Sequence, residues 1–173
     1  MLRILTVSVA CVLAALPVVA GASQESFDKQ MQPILAEYLT IQETLASDKT
    51  DGVAGAAGKI AELAGKLDAS DIVAGHAKHY QGIAEKLPAA AKKLQQAGDI
   101  KAARAAFAEL SKPMVMWAEH QSNNPATVVF CSMYPGSWLQ KGTDVRNPYY
   151  GSKMLTCGEI VGGGEQDMKH MHH

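Results

Sequence analysis

A long stretch of helical periodicity, residues 24–121 of the 173-residue chain, limits the fold more than any other feature. The stretch is rich in Ala, Leu, Lys, Glu and Gln, which favour helices, and its apolar residues recur at steps of three and four. Four apolar stripes follow one another: Phe27, Met31, Ile34, Tyr38, Ile41 and Leu45; Val53, Ala57, Ile60, Ala64 and Leu67; Ile72, His76, Tyr80, Ile83, Leu87, Ala91 and Leu94; and Ile100, Ala103, Phe107, Leu110, Met114 and Trp117.

The breaks between the stripes contain residues typical of turns and helix caps. Residues 48–52 separate the first two stripes, residues 68–71 offer N-cap side chains for the third helix, and Asp99 can cap the fourth. Pro88 and Pro113 lie inside helical patterns, so we expect kinks or breaks there. Four amphipathic helices with short links predict an antiparallel four-helix bundle.

The pattern changes after residue 125. Residues 127–130 form a short β-like run, and the dipeptides Pro-Gly, Lys-Gly and Asn-Pro that follow mark turns. We therefore predict an all-α fold, in which residues 126–161 form an irregular Cys/Met segment packed on the bundle. Residues 162–173 begin with three glycines and are expected to form a flexible tail rich in His and Met.

The first 22 residues have the three-part pattern of a cleavable secretion signal. Arg3 gives a positive start, residues 4–20 are almost wholly apolar, and small residues precede a cleavage site before Ser23. This predicts export to the periplasm or beyond and a mature domain over residues 23–161 with the tail behind it. The mature chain has no second long apolar run, so we expect no membrane span in it.

Charge and motifs exclude several classes of protein. Without Arg3 the chain has 15 basic against 17 acidic residues, which gives no electrostatic case for binding nucleic acid. The sequence has no GxSxG, no HExxH and no phosphate-binding loop. We therefore expect a protein that is not an enzyme.

Soft ligands are concentrated near the C-terminus. Cys11 leaves with the signal, and each of the two remaining cysteines has a methionine close by: Cys131 with Met133, and Met154 with Cys157. Thiolate and thioether sulfurs select Cu(I), or Ag(I) by the same chemistry, and two cysteines are too few for a structural zinc site. The four sulfur residues are our first candidates for metal ligands.

The same two cysteines also fit a disulfide, which is the default for an exported protein. A bond between Cys131 and Cys157 would close a 27-residue loop and contribute about 2–4 kcal/mol. In that alternative the protein is a disulfide-stapled helical module that binds an envelope or efflux partner, without a metal at the cysteines. A thiol oxidoreductase is a third interpretation, which requires a reactive cysteine of low pKa. Spacing alone leaves these alternatives open.

The histidines are weaker candidates. Met116 and His120 are one helical turn apart, so both side chains can reach one point, and they are second-choice ligands. His76 falls on an apolar stripe and is expected to be a core residue, with a ligand role as the alternative, and His79 flanks the same face. The tail adds a compositional sign of metal binding: Met168, His170, Met171, His172 and His173.

Several motifs together resemble a known family. They are Cys131-Ser132-Met133, Ser137-Trp138-Leu139 and the run from Val145 to Glu159, with Tyr38-Leu39, Ile41-Gln42, Asp99-Ile100, Arg104, Phe107 and Leu110-Ser111 upstream. In these the chain resembles the exported bacterial family known as domain of unknown function 3347, some of whose members are fused to, or encoded with, adaptors of copper and silver efflux pumps.

The resemblance implies a role in copper handling in the periplasm or cell envelope, with a copper efflux adaptor or chaperone as partner. The family motif is Cys-Pro-Met, whereas this chain has Ser132 in place of the proline; both donors are kept, but the rigid proline is not. The resemblance implies no catalytic residue. The run that contains Arg146, Asn147, Pro148, Tyr149 and Gly151 is expected to fix the loop by turn and packing chemistry. We thus expect an exported protein that binds, buffers or transfers Cu(I).

Overall fold

The computed structural model of the chain describes residues 20–70, 72, 75–121, 124 and 126–163, the first four of them by backbone alone. Residues 1–19 and 164–173 lie outside this part, and with them most of the expected secretion signal, including Cys11, and most of the expected tail.

Four helices form the larger part of the molecule, as the periodicity predicts. They are α1 (Ala20–Ala46), α2 (Val53–Ala64), α3 (Ala77–Gln95) and α4 (Ile100–Ala118). The predicted cap of α4 is confirmed, because the Asp99 carboxylate accepts a hydrogen bond of 2.7 Å from the N–H of Ala102. Pro88 and Pro113 lie inside helices and do not end them. No helix in the described residues is long and apolar enough to cross a membrane.

The start of α3 differs from the prediction. The helix begins at Ala77 with His76 at its N-cap, so residues 68–71 do not cap it. Ile72 is buried ahead of the helix, while His76 is exposed and is not the core residue that its place in the stripe suggested. The spacing of apolar residues predicts which face of α3 is buried, but it does not show at which residue the helix begins.

Neighbouring helices pack in chain order, α1 on α2, α2 on α3 and α3 on α4. Contacts between side chains show that α1 and α4 run antiparallel: Asp28 near the start of α1 accepts a hydrogen bond from Trp117 near the end of α4. Further along α1, the Tyr38 and Ser111 hydroxyls are 2.7 Å apart. The buried core includes Trp117, Trp138, Tyr38, Tyr80, Phe27 and Phe107.

The fold is mostly helical but not all-α, because the C-terminal segment forms a sheet. Strands β1 (Thr127–Cys131), β2 (Gly136–Gln140) and β3 (Glu159–Gly163) make an antiparallel sheet in the order β2-β1-β3. A short 3-10 helix, Gly151–Met154, lies between β2 and β3. Strand β3 takes up two of the glycines that we expected to open the tail. Strand pairing therefore orders part of the segment that we expected to be irregular.

The sheet completes the packing of the helices. Strand β2 lies mainly against α4 and also against α1, and Trp138 and Leu139 of this strand are fully buried. The backbone N–H of Leu139 donates to the Tyr38 hydroxyl, which is buried in α1. The expected packing of the C-terminal segment on the helices is thus present, with a strand as the contacting element.

Candidate metal centre

The fold brings the two predicted cysteines into direct contact. Cys131 is the last residue of β1, and Cys157 lies two residues before β3. Strands β1 and β3 are antiparallel and Phe130 pairs with Glu159. Cys131 follows Phe130 and Cys157 precedes Glu159 by two residues, so the two cysteines lie side by side at the same end of the strand pair. Their sulfur atoms are 3.4 Å apart. Cys131 is fully buried and Cys157 is partly exposed, so solvent reaches the pair from the Cys157 side.

The distance between the sulfurs distinguishes a disulfide from a pair of free thiols. A disulfide requires about 2.05 Å, so both cysteines are free thiols at 3.4 Å. Two sulfurs bound to one ion by metal–sulfur bonds of about 2.3 Å are about 3.8 Å apart at tetrahedral angles and about 4.6 Å apart when linear. The observed spacing is closer to that of a shared ion, and a small outward shift of Cys157 would reach it.

Hydrogen bonds favour the thiolate form of Cys131. Burial alone would raise its pKa, but the Cys157 thiol, the backbone N–H groups of Tyr134 and Met133 and the Asn147 side chain all donate toward its sulfur, and together they hold the pKa below its ordinary value. The pKa of Cys157 is raised, first because its proton is engaged by Cys131 and then because of burial and the neighbouring charge. Of the two thiols, Cys131 therefore loses its proton more readily.

Asn147 holds the loop that carries Cys157. Its side-chain amide is buried and donates to the carbonyl of Cys157 at 2.7 Å, while its side-chain oxygen accepts from the N–H of Tyr149 at 2.8 Å. Its own N–H donates to the carbonyl of Leu155 at 2.7 Å. Asn147 therefore fixes the path of the chain into Cys157, which agrees with the expected loop-fixing role of this run.

The residue after Cys157 must be small. A Cβ atom built at Gly158 would lie 2.7 Å from the ring of Trp138 and 2.8 Å from a methyl group of Val129, both fully buried. Glycine lets the chain pass directly over this part of the core on its way into β3. Close packing here therefore helps to set the position of Cys157.

A polar clamp fastens the same loop to the helices. Arg104 of α4 donates to the carbonyls of Pro148 and Leu45 at 3.0 and 2.9 Å and to the Asp48 carboxylate at 2.6 Å. Asp48 also accepts the N–H of Ser152 at 3.0 Å, and hydrogen bonds from Ser152 and Arg104 hold its pKa well below the usual range.

Gly151 lies directly under this clamp at φ +59, and a Cβ there would overlap the Asp48 and Arg104 side chains. Arg104, Asp48 and Gly151 thus form one connected support for the loop. No local sequence pattern indicates that Asp48, in a turn between two helices, supports a loop about 100 residues later.

The two predicted methionine ligands lie between the two cysteines along the chain. Met133 follows β1 and is 60% exposed, and its carbonyl accepts the Tyr150 hydroxyl. Met154 ends the 3-10 helix, and its carbonyl accepts the N–H of Cys157 at 3.0 Å. Each methionine thus lies within three residues of one of the cysteines.

The second-choice ligands occupy a different place. Met116 and His120 line a groove of about 830 Å³ between α4 and the β1–β2 hairpin, together with His79 and Phe130. Neither cysteine is among the described residues that line this groove. The ring nitrogen Nδ1 of His120 is 2.8 Å from the backbone carbonyl of Met116, so it is the backbone of Met116 that contacts the histidine. In the described part of the chain, no group of three or more His, Cys, Asp or Glu side chains is placed to hold a metal ion as it stands.

Comparison with known proteins gives a family match. No curated protein and no solved structure matches the chain. Residues 34–125 match the family described as a protein of unknown function, DUF3347, and this stretch covers just over half of the 173 residues. The matched region includes most of the helices and ends six residues before Cys131, so the cysteine pair lies outside it. The chain belongs to the DUF3347 family.

Proposed function

We propose that this protein binds Cu(I), or Ag(I) by the same chemistry, through Cys131 and Cys157, and that it buffers or transfers the ion in the cell envelope without acting on a substrate. The observation that carries the proposal is the contact between two free thiols, 3.4 Å apart and open to solvent on one side. Soft thiolate sulfur selects Cu(I) over the harder ions.

The protonation of the pair suits this role. A cysteine binds metal as its thiolate, so a site with one sulfur already biased toward that form needs to lose fewer protons. Hydrogen bonds bias Cys131 in this way. Binding of Cu(I) by both sulfurs as thiolates would release the protons that the two thiols carry and replace the contact between the sulfurs with two metal–sulfur bonds.

Met133 and Met154 are the proposed additional donors. Met133 is largely exposed and two residues from Cys131, and Met154 is half-buried and three residues from Cys157. A neutral thioether adds a soft ligand without adding charge, and it can leave more easily than a thiolate when the ion is passed on. Met116 and His120 remain proposed second-choice ligands, at the groove on α4.

Export and the partner are proposals of the same kind. The signal-like pattern of residues 1–22 supports a periplasmic or otherwise exported location. A copper efflux adaptor or chaperone as partner rests on the resemblance described above. An ion held at the end of β1, with one cysteine partly exposed, would be open to attack by ligands of such a partner.

Anaerobic titration of the reduced protein with Cu(I), in competition with a chromophoric chelator, tests the proposal. We expect one equivalent bound per chain, and we expect Cys157→Ser to weaken binding at least tenfold. Ser132→Ala, at an exposed position between the ligands Cys131 and Met133, is the matched control and should bind like the unaltered protein. Replacing the tail residues Met168, His170, Met171, His172 and His173 shows whether they contribute; loss of all binding in that variant would refute the cysteine site.

The same contact also favours the alternative function. Sulfurs 3.4 Å apart need only a small movement to form a disulfide on oxidation, which would give a stapled interaction module. Counting free thiols in protein isolated without reductant separates the two. Zero free thiols, together with no Cu(I) uptake after reduction, would support the module.

A further inference from the structure

We infer that His76, His79 and His120 form a second metal site, for a divalent ion that prefers imidazole, such as Zn²⁺ or Cu²⁺. Three of the six histidines of the chain meet at one end of the helices. They come from the N-cap of α3, the first turn of α3 and the residue after the C-cap of α4. This site is separate from the cysteine pair and does not depend on it.

The spacing of the rings fits a shared ion. The ring centres of His79 and His120 are 4.8 Å apart, those of His76 and His120 are 5.3 Å apart, and those of His76 and His79 are 6.4 Å apart. With an ion–nitrogen bond of about 2.0–2.1 Å, two imidazoles bound at tetrahedral angles have ring centres about 5 Å apart. Two of the three distances are close to this value, and the third is longer.

One histidine is already held as a ligand would be. A backbone carbonyl only accepts hydrogen bonds, so the contact with Met116 O requires Nδ1 of His120 to carry its proton. The neutral ring then has a free lone pair on Nε2, the atom that would bind the ion. Histidine ligands in metal sites commonly donate their other N–H to a carbonyl in this manner.

The other two rings must turn for the site to close, because the side chains are not placed to hold an ion as they stand. His76 and His79 are both exposed, so rotation about their side-chain bonds meets little packing. They are three residues apart at the start of one helix and therefore point to the same side. Imidazole nitrogen suits the divalent ions from nickel to zinc, with Cu²⁺ bound most tightly.

Titration of a full-length variant isolates this site. The variant carries His170→Gln, His172→Gln and His173→Gln, so that only the three clustered histidines remain, and Cys157→Ser, which removes the thiol pair. We expect one Zn²⁺ per chain by calorimetry, and a Cu²⁺ electron paramagnetic resonance spectrum showing nitrogen ligands. Adding His79→Gln should weaken the binding of Zn²⁺ and of Cu²⁺ at least tenfold. Lys78→Gln, at the exposed neighbouring position, should leave the binding of both ions unchanged.

Equal binding in the variants with and without His79→Gln, or no binding at all, would overturn the inference. His79 is exposed, so its replacement is not expected to disturb folding, and circular dichroism of each variant checks this. The copper(I) proposal is decided separately, because the background variant lacks Cys157. A negative result at the histidines therefore does not affect the proposed Cu(I) site at the cysteines, and a negative result at the cysteines does not affect the proposed histidine site.

Discussion

The helices and the C-terminal segment are held in place by different forces. The helices are fixed by apolar side chains at regular spacing, with Phe27, Phe107 and Leu110 fully buried between them. The segment after residue 125 adds Trp138 and Leu139 to the same core, but its loops are held by a few buried or clamped polar groups, above all Asn147 and Arg104, that bind their backbone. Stability is thus spread over many residues in the helices, whereas the loops depend on a few.

This difference has a consequence for the proposed copper site. Cys131 is buried in the core, whereas Cys157 is partly exposed in a loop, so the position of Cys157 depends on specific hydrogen bonds and not on packing volume alone. Changes in the helices should therefore act on the stability of the whole molecule, and changes in the segment should act first on Cys157.

The largest effect is expected from the helical core. Phe107→Ala removes a fully buried ring that stacks on Tyr38, with ring centres 4.8 Å apart. We expect the free energy of unfolding to fall by about 3–5 kcal/mol, because truncating a buried Phe leaves a cavity. Chemical denaturation followed by circular dichroism measures this. Glu109→Ala, at an exposed position of the same helix, should change stability by less than about 0.5 kcal/mol; equal effects of the two would contradict a packing-based account.

A smaller loss of the free energy of unfolding, together with a local change at Cys157, is expected from a substitution in the C-terminal segment. Asn147→Ala leaves the carbonyl of Cys157 and the N–H of Tyr149 without their partner, which should cost about 2–4 kcal/mol. It should also speed alkylation of Cys157, since the loop is no longer held.

Tyr150→Phe is the matched control, because it removes a single exposed hydrogen bond to Met133. It should cost about 0.5–1.5 kcal/mol. Unchanged alkylation of Cys157 in Asn147→Ala would show that the loop is held by something else.

The cap of α4 should contribute less. Asp99→Ala removes the hydrogen bond to the N–H of Ala102, and we expect a loss of about 1 kcal/mol. Asp51→Ala, at an exposed aspartate in the turn before α2, is the comparison, and thermal unfolding of both variants gives the difference. Similar shifts for the two would mean that the cap stabilises no more than an ordinary surface aspartate.

The smallest effect is one of pH. The pKa of Asp48 is lowered in the folded protein, so its contribution is complete above the unfolded value of about 3.9 and is lost as the pH falls below it. The stability gap between the unaltered protein and Asp48→Asn should therefore be wider at pH 7 than at pH 3. Urea unfolding at both values checks this, and a gap that does not change with pH would exclude the clamp as a charged contact.

The helices could be predicted from sequence because their signal is local. The stripe from Phe27 to Leu45 and the cap at Asp99 depend only on residues within a few turns. Strand β3 could not be found in this way, since its sequence, Glu-Ile-Val-Gly-Gly, becomes a strand only by pairing with β1 about 30 residues earlier. His76 was misplaced for a related reason, because periodicity does not show where a helix begins.

The candidate site shows the same difference between local and long-range information. Two cysteines that each have a methionine close by were visible in the sequence, and the structure brings the thiols together. The support from Arg104, Asp48 and Asn147 spans up to 104 residues and has no local pattern. Sequence spacing therefore identified the candidate sulfur residues but not the residues that hold their loop in place.

Protection of the thiols by Cu(I) tests the central claim most directly. The reduced protein is treated with an alkylating agent before and after one equivalent of Cu(I), and the modification of each cysteine is followed by mass spectrometry. If the pair binds the ion, Cys157 should be alkylated at least tenfold more slowly in the presence of Cu(I), with Cys131 protected as well. Alkylation of Cys157 at the same rate with and without Cu(I) would contradict the account.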